Sequence, residues 1–396
     1  MTPLTDTYVP CFEVALDDSE LTRQMRECVL DIQVVRELNK TGTLSLTLSN
    51  WDELNLRLRF DDPKHLAPGQ SVEVRLGYTG RLRPPVVAKG QITTVQPDFP
   101  SAGPPTLQIA GQDRTARMKN RKPQSDEEKK HVNLADWQIA EKIAKRHDLP
   151  LVAETEGVVH PVMMQDNVDD VVFLLKRAQD IDREVYVAPD PEYGVESLYF
   201  VRPADGRPGP SARETRTFDL WYSVLARGAR SGRPEEGPAA RTSPAPNLIS
   251  FRPTLRVANQ VAKVTVRGWD PRRKREIVGT ATQADLQAER DAGRSGPAVA
   301  AEEMGDREEV IVDRPVSSEQ EARTIAVSVL SGRSYDFVTC AGQLAGLPEL
   351  VPGDSLRIGG VGGRFGGSYY TTKVTHSFNS SGFLTSFEAR RTSEGR

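Results

Sequence analysis

The sequence predicts a mainly β protein with an α+β insertion: two antiparallel β-barrels related by internal duplication, plus a small α+β domain. Three observations predict it. Apolar residues alternate with period two through residues 8–49 and again toward the C-terminus, the mark of half-buried strands. A stretch near the N-terminus, 67–113, returns in altered form at 351–391. Between the copies, two apolar stripes recur at helical rather than strand spacing.

The early copy reads LAPGQSVEVRLGY, a Pro-rich connection, then KGQITTVQPDFPSAGPPTLQIAGQDR. The late copy reads LVPGDSLRIGGVGG, a Gly-rich connection, then YYTTKVTHSFNSSGFLTSFEARR. Pro68-Gly69 meets Pro352-Gly353 at an offset of 284, and Phe99 meets Phe378 at 279, so the difference falls in the connecting loop. Within these frames Ser71 meets Ser355, Val74 meets Ile358, Thr93 meets Thr372, Val95 meets Val374, Gly103 meets Gly382 and Thr106 meets Thr385. The match extends upstream as well, since LSLTLSNWD at 44–52 and AKVTVRGWD at 262–270 both end a strand in Trp-Asp.

In chain order, residues 1–117 are expected to form the first barrel. Phe12, Val14 and Leu16 alternate, then Val29, Ile32 and Val34, then Leu44, Leu46 and Leu48, with Asn39-Lys40-Thr41-Gly42 as turn chemistry. Leu54, Leu56, Leu58 and Phe60 continue the alternation, and Pro68-Gly69 turns the chain into a strand at 72–78. Residues 118–227 are the α+β domain. Asn133 is placed to cap a helix over 134–147, Asn167 or Asp169 to cap a second through Ile181, and strands follow at 184–188 and 197–201. Residues 228–247 hold almost nothing apolar and form a linker or loop. Residues 248–396 are the second barrel, with 283–306 inserted as a loop or weak helix. One further helix is capped at Ser318, where Glu321 has capping-box spacing.

Composition narrows the function. Lys and Arg number 52 against 55 Asp and Glu, a formal charge of −3, so no global field attracts nucleic acid or an anionic membrane. The run Arg272-Arg273-Lys274-Arg275 reads as a solvated hairpin tip. Cys11, Cys28 and Cys340 are odd in number and lack CxxC spacing, which argues against a disulfide framework or zinc site. The N-terminal stretch has no secretory pattern, and no apolar run is long enough to span a membrane. Cytoplasmic synthesis and assembly are expected.

Chemistry is sought and not found. His65, His131, His147, His160 and His376 make no HExxH or HxH pattern, and His376 reads as a structural residue. Gly359-Gly360-Val361-Gly362-Gly363 precedes a strand rather than a helix, so it is a hairpin connection and not a phosphate loop. The carboxylate pairs Asp169-Asp170, Asp180-Asp182 and Glu302-Glu303 sit at helix starts or in loops. The chain is therefore read as no enzyme, with no catalytic, cofactor-binding or metal-binding residue and no cofactor. Two rival readings remain: a carbohydrate- or cell-wall-binding β-protein, and a cell-wall hydrolase.

The strand PGQSVEVRLGY with KGQITTVQPDFP and LQIAGQDR, the helix pair LADWQIAEKIAKRHDLPL and NVDDVVFLLKRAQDIDREVYV, and DRPVSSEQEAR leading to GLPELVPGDSLRIGG, occur in an order that resembles one family. That family is the phage late control D proteins, hubs of contractile tails, and the N-terminal hub portion of VgrG-type spikes. The resemblance implies that both barrels are tail-tube-like and that the chain is a baseplate hub of a contractile phage-tail-like injection system. It further implies a homotrimer forming a pseudo-sixfold ring between a hexameric inner tube and a trimeric spike, with baseplate wedge proteins as further partners. Because the sequence stops at Arg396 without an OB-fold, needle or lysozyme domain, the spike is expected to be a separate polypeptide.

Overall fold

The computed structural model describes residues 9–395 except 63–65, 81–82, 120, 190–195, 204–215, 223–246, 272, 287–292 and 306. The first part of the chain runs β1 (Pro10–Leu16), β2 (Ser19–Glu20), α1 (Arg23–Glu27), β3 (Val29–Glu37), β4 (Thr43–Ser49), β5 (Trp51–Asp52), β6 (Arg57–Leu58), β7 (Ser71–Tyr78), β8 (Val86–Asp98) and β9 (Thr106–Gln112). The middle continues α2 (Thr115–Lys119), α3 (Asp126–Lys129), β10 (Lys130–Ala135), α4 (Asp136–Arg146), β11 (Leu151–Ala153), β12 (Val159–Met164), α5 (Asp170–Asp180), β13 (Glu184–Pro189), β14 (Glu196–Val201) and β15 (Thr217–Trp221). Last come β16 (Leu248–Leu255), β17 (Lys263–Asp270), β18 (Arg275–Thr282), α6 (Gly296–Met304), β19 (Glu308–Ile311), α7 (Glu319–Ser334), β20 (Val338–Ala345), β21 (Ser355–Gly359), β22 (Gly367–Asn379) and β23 (Gly382–Arg391).

Two compact units divide these elements. The first comprises residues 1–117, 343–352 and 373–387, and the second 118–342, 353–372 and 388–396. In the first unit the strand order is β22-β3-β4-β9-β8-β7-β1-β2, antiparallel throughout. Period-two burial in β7 turns Val72, Val74 and Leu76 inward, toward Ile32, Val34, Leu46, Ile92 and Ile109. The two ends of this sheet meet through side chains: Phe12 and Phe378 rings lie 5.0 Å apart edge to face, and the Tyr78 hydroxyl donates to the Gly346 carbonyl at 3.0 Å. These contacts curl the sheet into a barrel around one core.

The second unit holds three structures. Strands run β16-β20-β23-β22-β21-β15, with β15 and β21 parallel. Helices α4 and α5 bury Ile139, Ile143, Phe173 and Leu174 against β11-β14-β13, where Val185, Leu198 and Phe200 face them. Helix α7 packs on the sheet β18-β17-β19 through Ala322, Ile325 and Ala326 against Val264, Val266 and Ile277. The approach is close at Gly279, where a Cβ would lie 2.2 Å from the Ala322 carbonyl carbon. Only glycine fits there.

Several expectations need correcting. The Trp-Asp match at 44–52 and 262–270 is not a barrel equivalence, because β17 lies in the small sheet under α7, whereas β20 stands beside β23 as β4 stands beside β9. Alternation alone could not separate them, since every half-buried strand has period two. Asn133 does not cap a helix: it lies in β10 at φ +52, and α4 begins after Ala135, whose N–H donates to Gln138 Oε1 at 2.9 Å. Leu54 and Leu56 do not continue a strand; they occupy the β5–β6 turn and are exposed. Asp169 does precede α5, and Ser318 caps α7 by accepting from the Glu321 N–H at 3.1 Å. The Glu321 carboxylate completes the box one residue early, on the Ser317 N–H at 2.8 Å. Of 283–306, a single turn at Gln283–Asp285 and α6 are described; the linker stretch 228–246 lies outside the described residues. Among the described residues no helix is long and apolar enough to cross a membrane.

Candidate functional site

The feature that the sequence singled out is the duplicated three-strand meander, β7-β8-β9 and β21-β22-β23, and its geometry repeats bond for bond. In the first copy Gly69, at φ +92, donates its N–H to the Ile92 carbonyl at 2.8 Å, and the Ile92 N–H donates to the Gln70 carbonyl at 2.9 Å. In the second, Gly353, at φ +90, donates to the Thr371 carbonyl at 2.7 Å, and the Thr371 N–H to the Asp354 carbonyl at 2.9 Å. The partners are those given by the two sequence offsets. Register follows: Ser71↔Gln91, Val72↔Gly90, Glu73↔Lys89 and Val74↔Ala88 correspond to Ser355↔Tyr370, Leu356↔Tyr369, Arg357↔Ser368 and Ile358↔Gly367. Gly103 and Gly382, at φ +98 and +105, serve the next turn of each copy. Left-handed backbone at these places explains why glycine stands in both copies.

Away from the cores, the sheet faces carry small polar groups. Gln108 Nε2 donates to Ser45 Oγ at 3.3 Å in the first copy, and Gln343 Nε2 to Ser386 Oγ at 3.5 Å in the second. In the second unit a depression of about 410 Å³ opens on this face, lined by Arg252, Tyr335, Asp336, Thr339, Glu388 and Arg390 among others. Within it Arg390 is held by Glu184 at 3.1 Å and lies over the ring of Tyr335, another lining residue, at 3.7 Å. The Tyr370 hydroxyl also donates to Glu184, at 2.5 Å, so this buried carboxylate is held from two sides.

His147, His160 and His376, with the carboxylates Asp170, Asp180 and Asp182, are tied into contacts within the fold. His376 is buried with Nδ1 3.0 Å from Thr385 Oγ1, and burial pushes its pKa down to about 3, so it is neutral. His147 and Arg146 both contact Asp170, at 2.8 and 2.7 Å. His160 Nε2 lies 2.9 Å from Asp136, which also accepts from Arg177 at 2.6 and 3.2 Å. Arg177 reaches Asp180 at 3.0 Å, and Asp180 accepts from Arg314 at 2.6 Å. Burial opposes the Asp136 charge, yet the hydrogen bonds from His160 and Arg177 outweigh it and hold its pKa below the ordinary carboxylate value. The Asp180-Asp182 pair is divided, since Asp182 accepts from the Tyr335 hydroxyl at 2.8 Å. Glu302 sits on the surface with Arg294 at 3.1 Å. His65 and Arg272 lie outside the described residues; Arg273 and Lys274 occupy the turn between β17 and β18. Among the described residues no three His, Cys, Asp or Glu side chains converge as metal ligands. Sequence reasoning missed the Asp136–His160–Arg177–Asp180 cluster, whose members lie up to 44 residues apart and share no motif.

A family model covers most of the chain, matching residues 6–190 and 235–380. The chain belongs to the Alg8 N-terminal domain family. No curated protein sequence matches this Alg8 N-terminal domain relative. Among solved structures it is similar to the 43 kDa tail protein of prophage MuSo2 from Shewanella oneidensis, at 14% identity and TM-score 0.63 over 97% of this chain and 98% of that one. It is similar also to the tail protein from Neisseria meningitidis MC58, at 12% identity and TM-score 0.63 over 97% of both. A third likeness is the E. coli c3393 protein, a component of the type VI secretion system described as structurally similar to T4 tail proteins gp27 and gp5. Identity is 14% and TM-score 0.52 over 91% of this chain and 73% of that one. The fold is thus that of phage tail proteins and their type VI relatives.

Proposed function

We propose that this chain is a structural baseplate hub of a contractile, phage-tail-like injection particle, in the manner of the late control D proteins. Three copies form a ring, each contributing two quasi-equivalent barrels, so that six similar units face a hexameric inner tube and three subunits face a separate trimeric spike. The observation that carries this reading is the repeat of hydrogen bonds and register between β7-β8-β9 and β21-β22-β23. A duplicated module lets a threefold object offer sixfold contacts, which requires heterologous interfaces that close. The tail-protein fold supports the same assignment. Wedge proteins of the baseplate are further partners, and the work done is symmetry matching and not turnover. Native mass spectrometry of the chain with its tube and spike proteins tests it: a trimer that recruits both is expected, and a strictly monomeric chain in their presence refutes it.

A further inference from the structure

The small sheet under α7 has one face left over. Strands β17 and β18 pair without a register shift from Lys263↔Thr282 to Asp270↔Arg275, so side chains alternate strictly between its two sides. Val264, Val266, Ile277 and Ala281 lie on the side that α7 covers. Arg267, Trp269, Glu276 and Val278 lie on the other, where Trp269 is 60% and Val278 41% exposed. These two stand on a diagonal, since Trp269 is opposite Glu276 and Val278 opposite Arg267, and so form one apolar patch. The ion pair between them, Arg267 with Glu276 at 3.3 Å, is solvent-exposed and weak.

Strand β18 is also an edge. Among the described residues β17 is its one strand neighbour, and the other side of β18 runs open for eight residues, Arg275–Thr282. Proteins usually blunt such an edge with a proline, a bulge or a very short strand, and β18 has none of the three. The opposite edge of the sheet, β19, is only four residues long. At the start of β18 the chain concentrates positive charge. Residues 267–276 hold Arg267, Arg272, Arg273, Lys274 and Arg275 against Asp270 and Glu276, in a chain whose formal charge is −3. Arg273 and Arg275 reach Asp270 at 3.9 Å and Glu319 at 3.5 Å, long contacts of exposed guanidinium groups that a stronger anion displaces at little cost. An open edge, an exposed indole and a basic tip thus meet on one hairpin.

We propose that the free edge of β18 receives an extended acidic segment of a partner protein as a fourth strand of this sheet. Running antiparallel to β18, the segment ends beside the hairpin tip, which sets its carboxylates among Arg273, Lys274 and Arg275. Its alternate apolar side chains then lie on the face that Val278 and Trp269 line. Backbone hydrogen bonds supply affinity without discrimination, and the charge at one end together with the apolar alternation selects the partner. The site uses neither barrel, so it stands apart from ring formation.

Selection of a random peptide library on the full chain, followed by hydrogen exchange of the chain with the selected peptides, tests the site. The expected sequences alternate apolar residues and end in Asp or Glu, and they slow the amides of 275–282. Trp269→Ala and Arg273→Glu are each expected to weaken such a peptide about tenfold while leaving the thermal unfolding of the free chain unchanged, because both side chains are exposed. Added salt should weaken the acidic peptides as well. A library that yields no binder, selected peptides without acidic residues, 275–282 amides that exchange as in the free chain, or variants that bind as tightly as wild type overturn the proposal. A single-stranded oligonucleotide of equal charge that binds as tightly overturns it too, because the tip is then a general polyanion surface.

Discussion

Asp136→Asn removes one charge from the buried cluster that ties α4, β12 and α5 together, and its cost can be worked from the contacts. The carboxylate accepts from Arg177 at 2.6 and 3.2 Å and lies 2.9 Å from His160 Nε2. The amide keeps the shape, but its nitrogen must face a donor, and Arg177 loses its nearest anion. Breaking a buried ion pair by removing one partner costs roughly 3–5 kcal/mol. Arg177 still holds Asp180 at 3.0 Å, which takes away the upper part of that range, so the expected loss is about 3 kcal/mol. Because the chain has more than one unit, the quantity to measure is local: the opening free energy of α4, α5 and β12 amides by native-state hydrogen exchange. A loss below about 1 kcal/mol would refute the reasoning, since that is the worth of an exposed pair. The sign with pH follows from the lowered Asp136 pKa. A depressed carboxylate contributes stability fully above its unfolded value, about 3.9, and loses it as pH falls through the folded value. Wild-type protection of α4 and α5 should therefore decline on acidification below about pH 4, and the variant should lack that component.

Two other outcomes are expected. Gly69→Ala and Gly353→Ala should each destabilise by about 1 kcal/mol, because both sit at positive φ, +92 and +90, where an L side chain is strained; at Gly69 nothing lies within 4 Å of the added Cβ. Local exchange of the 92 and 371 amides reads the two turns separately, and losses differing by more than about 1 kcal/mol would break the equivalence. Burial pushes the Cys340 thiol up to about 12, so iodoacetamide at pH 8 should leave it unmodified in the native chain. Stoichiometric alkylation with an intact circular dichroism spectrum would contradict its placement.

The duplication was legible because its carriers are backbone demands. Pro-Gly at 68–69 and 352–353, and Gly103 with Gly382, mark turns that need left-handed glycine, and those positions tolerate little else. The Ser318 cap was legible for a similar reason, as local chemistry read within four residues, whereas Asp169, one of the two candidates before α5, holds the N-cap position without a side-chain hydrogen bond. What could not be read is long-range. That β17 belongs under α7 depends on Gly279 and Gly268 leaving room for Ala322 and Val316, contacts set by residues 43 and 48 positions away. That Asp136, His160 and Arg177 meet depends on the packing of α4, α5 and β12, which no local pattern encodes. Leu54 and Leu56 were misread because alternation was taken for burial, while Asp52 caps a tight turn there through the Leu54 and Asn55 N–H groups.

The repeats have kept register while their side chains diverged. Matching residues along β8 and β22 are few, yet all four pairs with β7 and β21 keep the same offsets. Register in a strand pair is fixed wherever one face is buried, since a slip of one residue turns every inward side chain outward. Val72 and Val74 against Leu356 and Ile358 satisfy that condition in both copies. Their surfaces are under no such constraint, so one copy can expose Phe99 where the other packs Phe378.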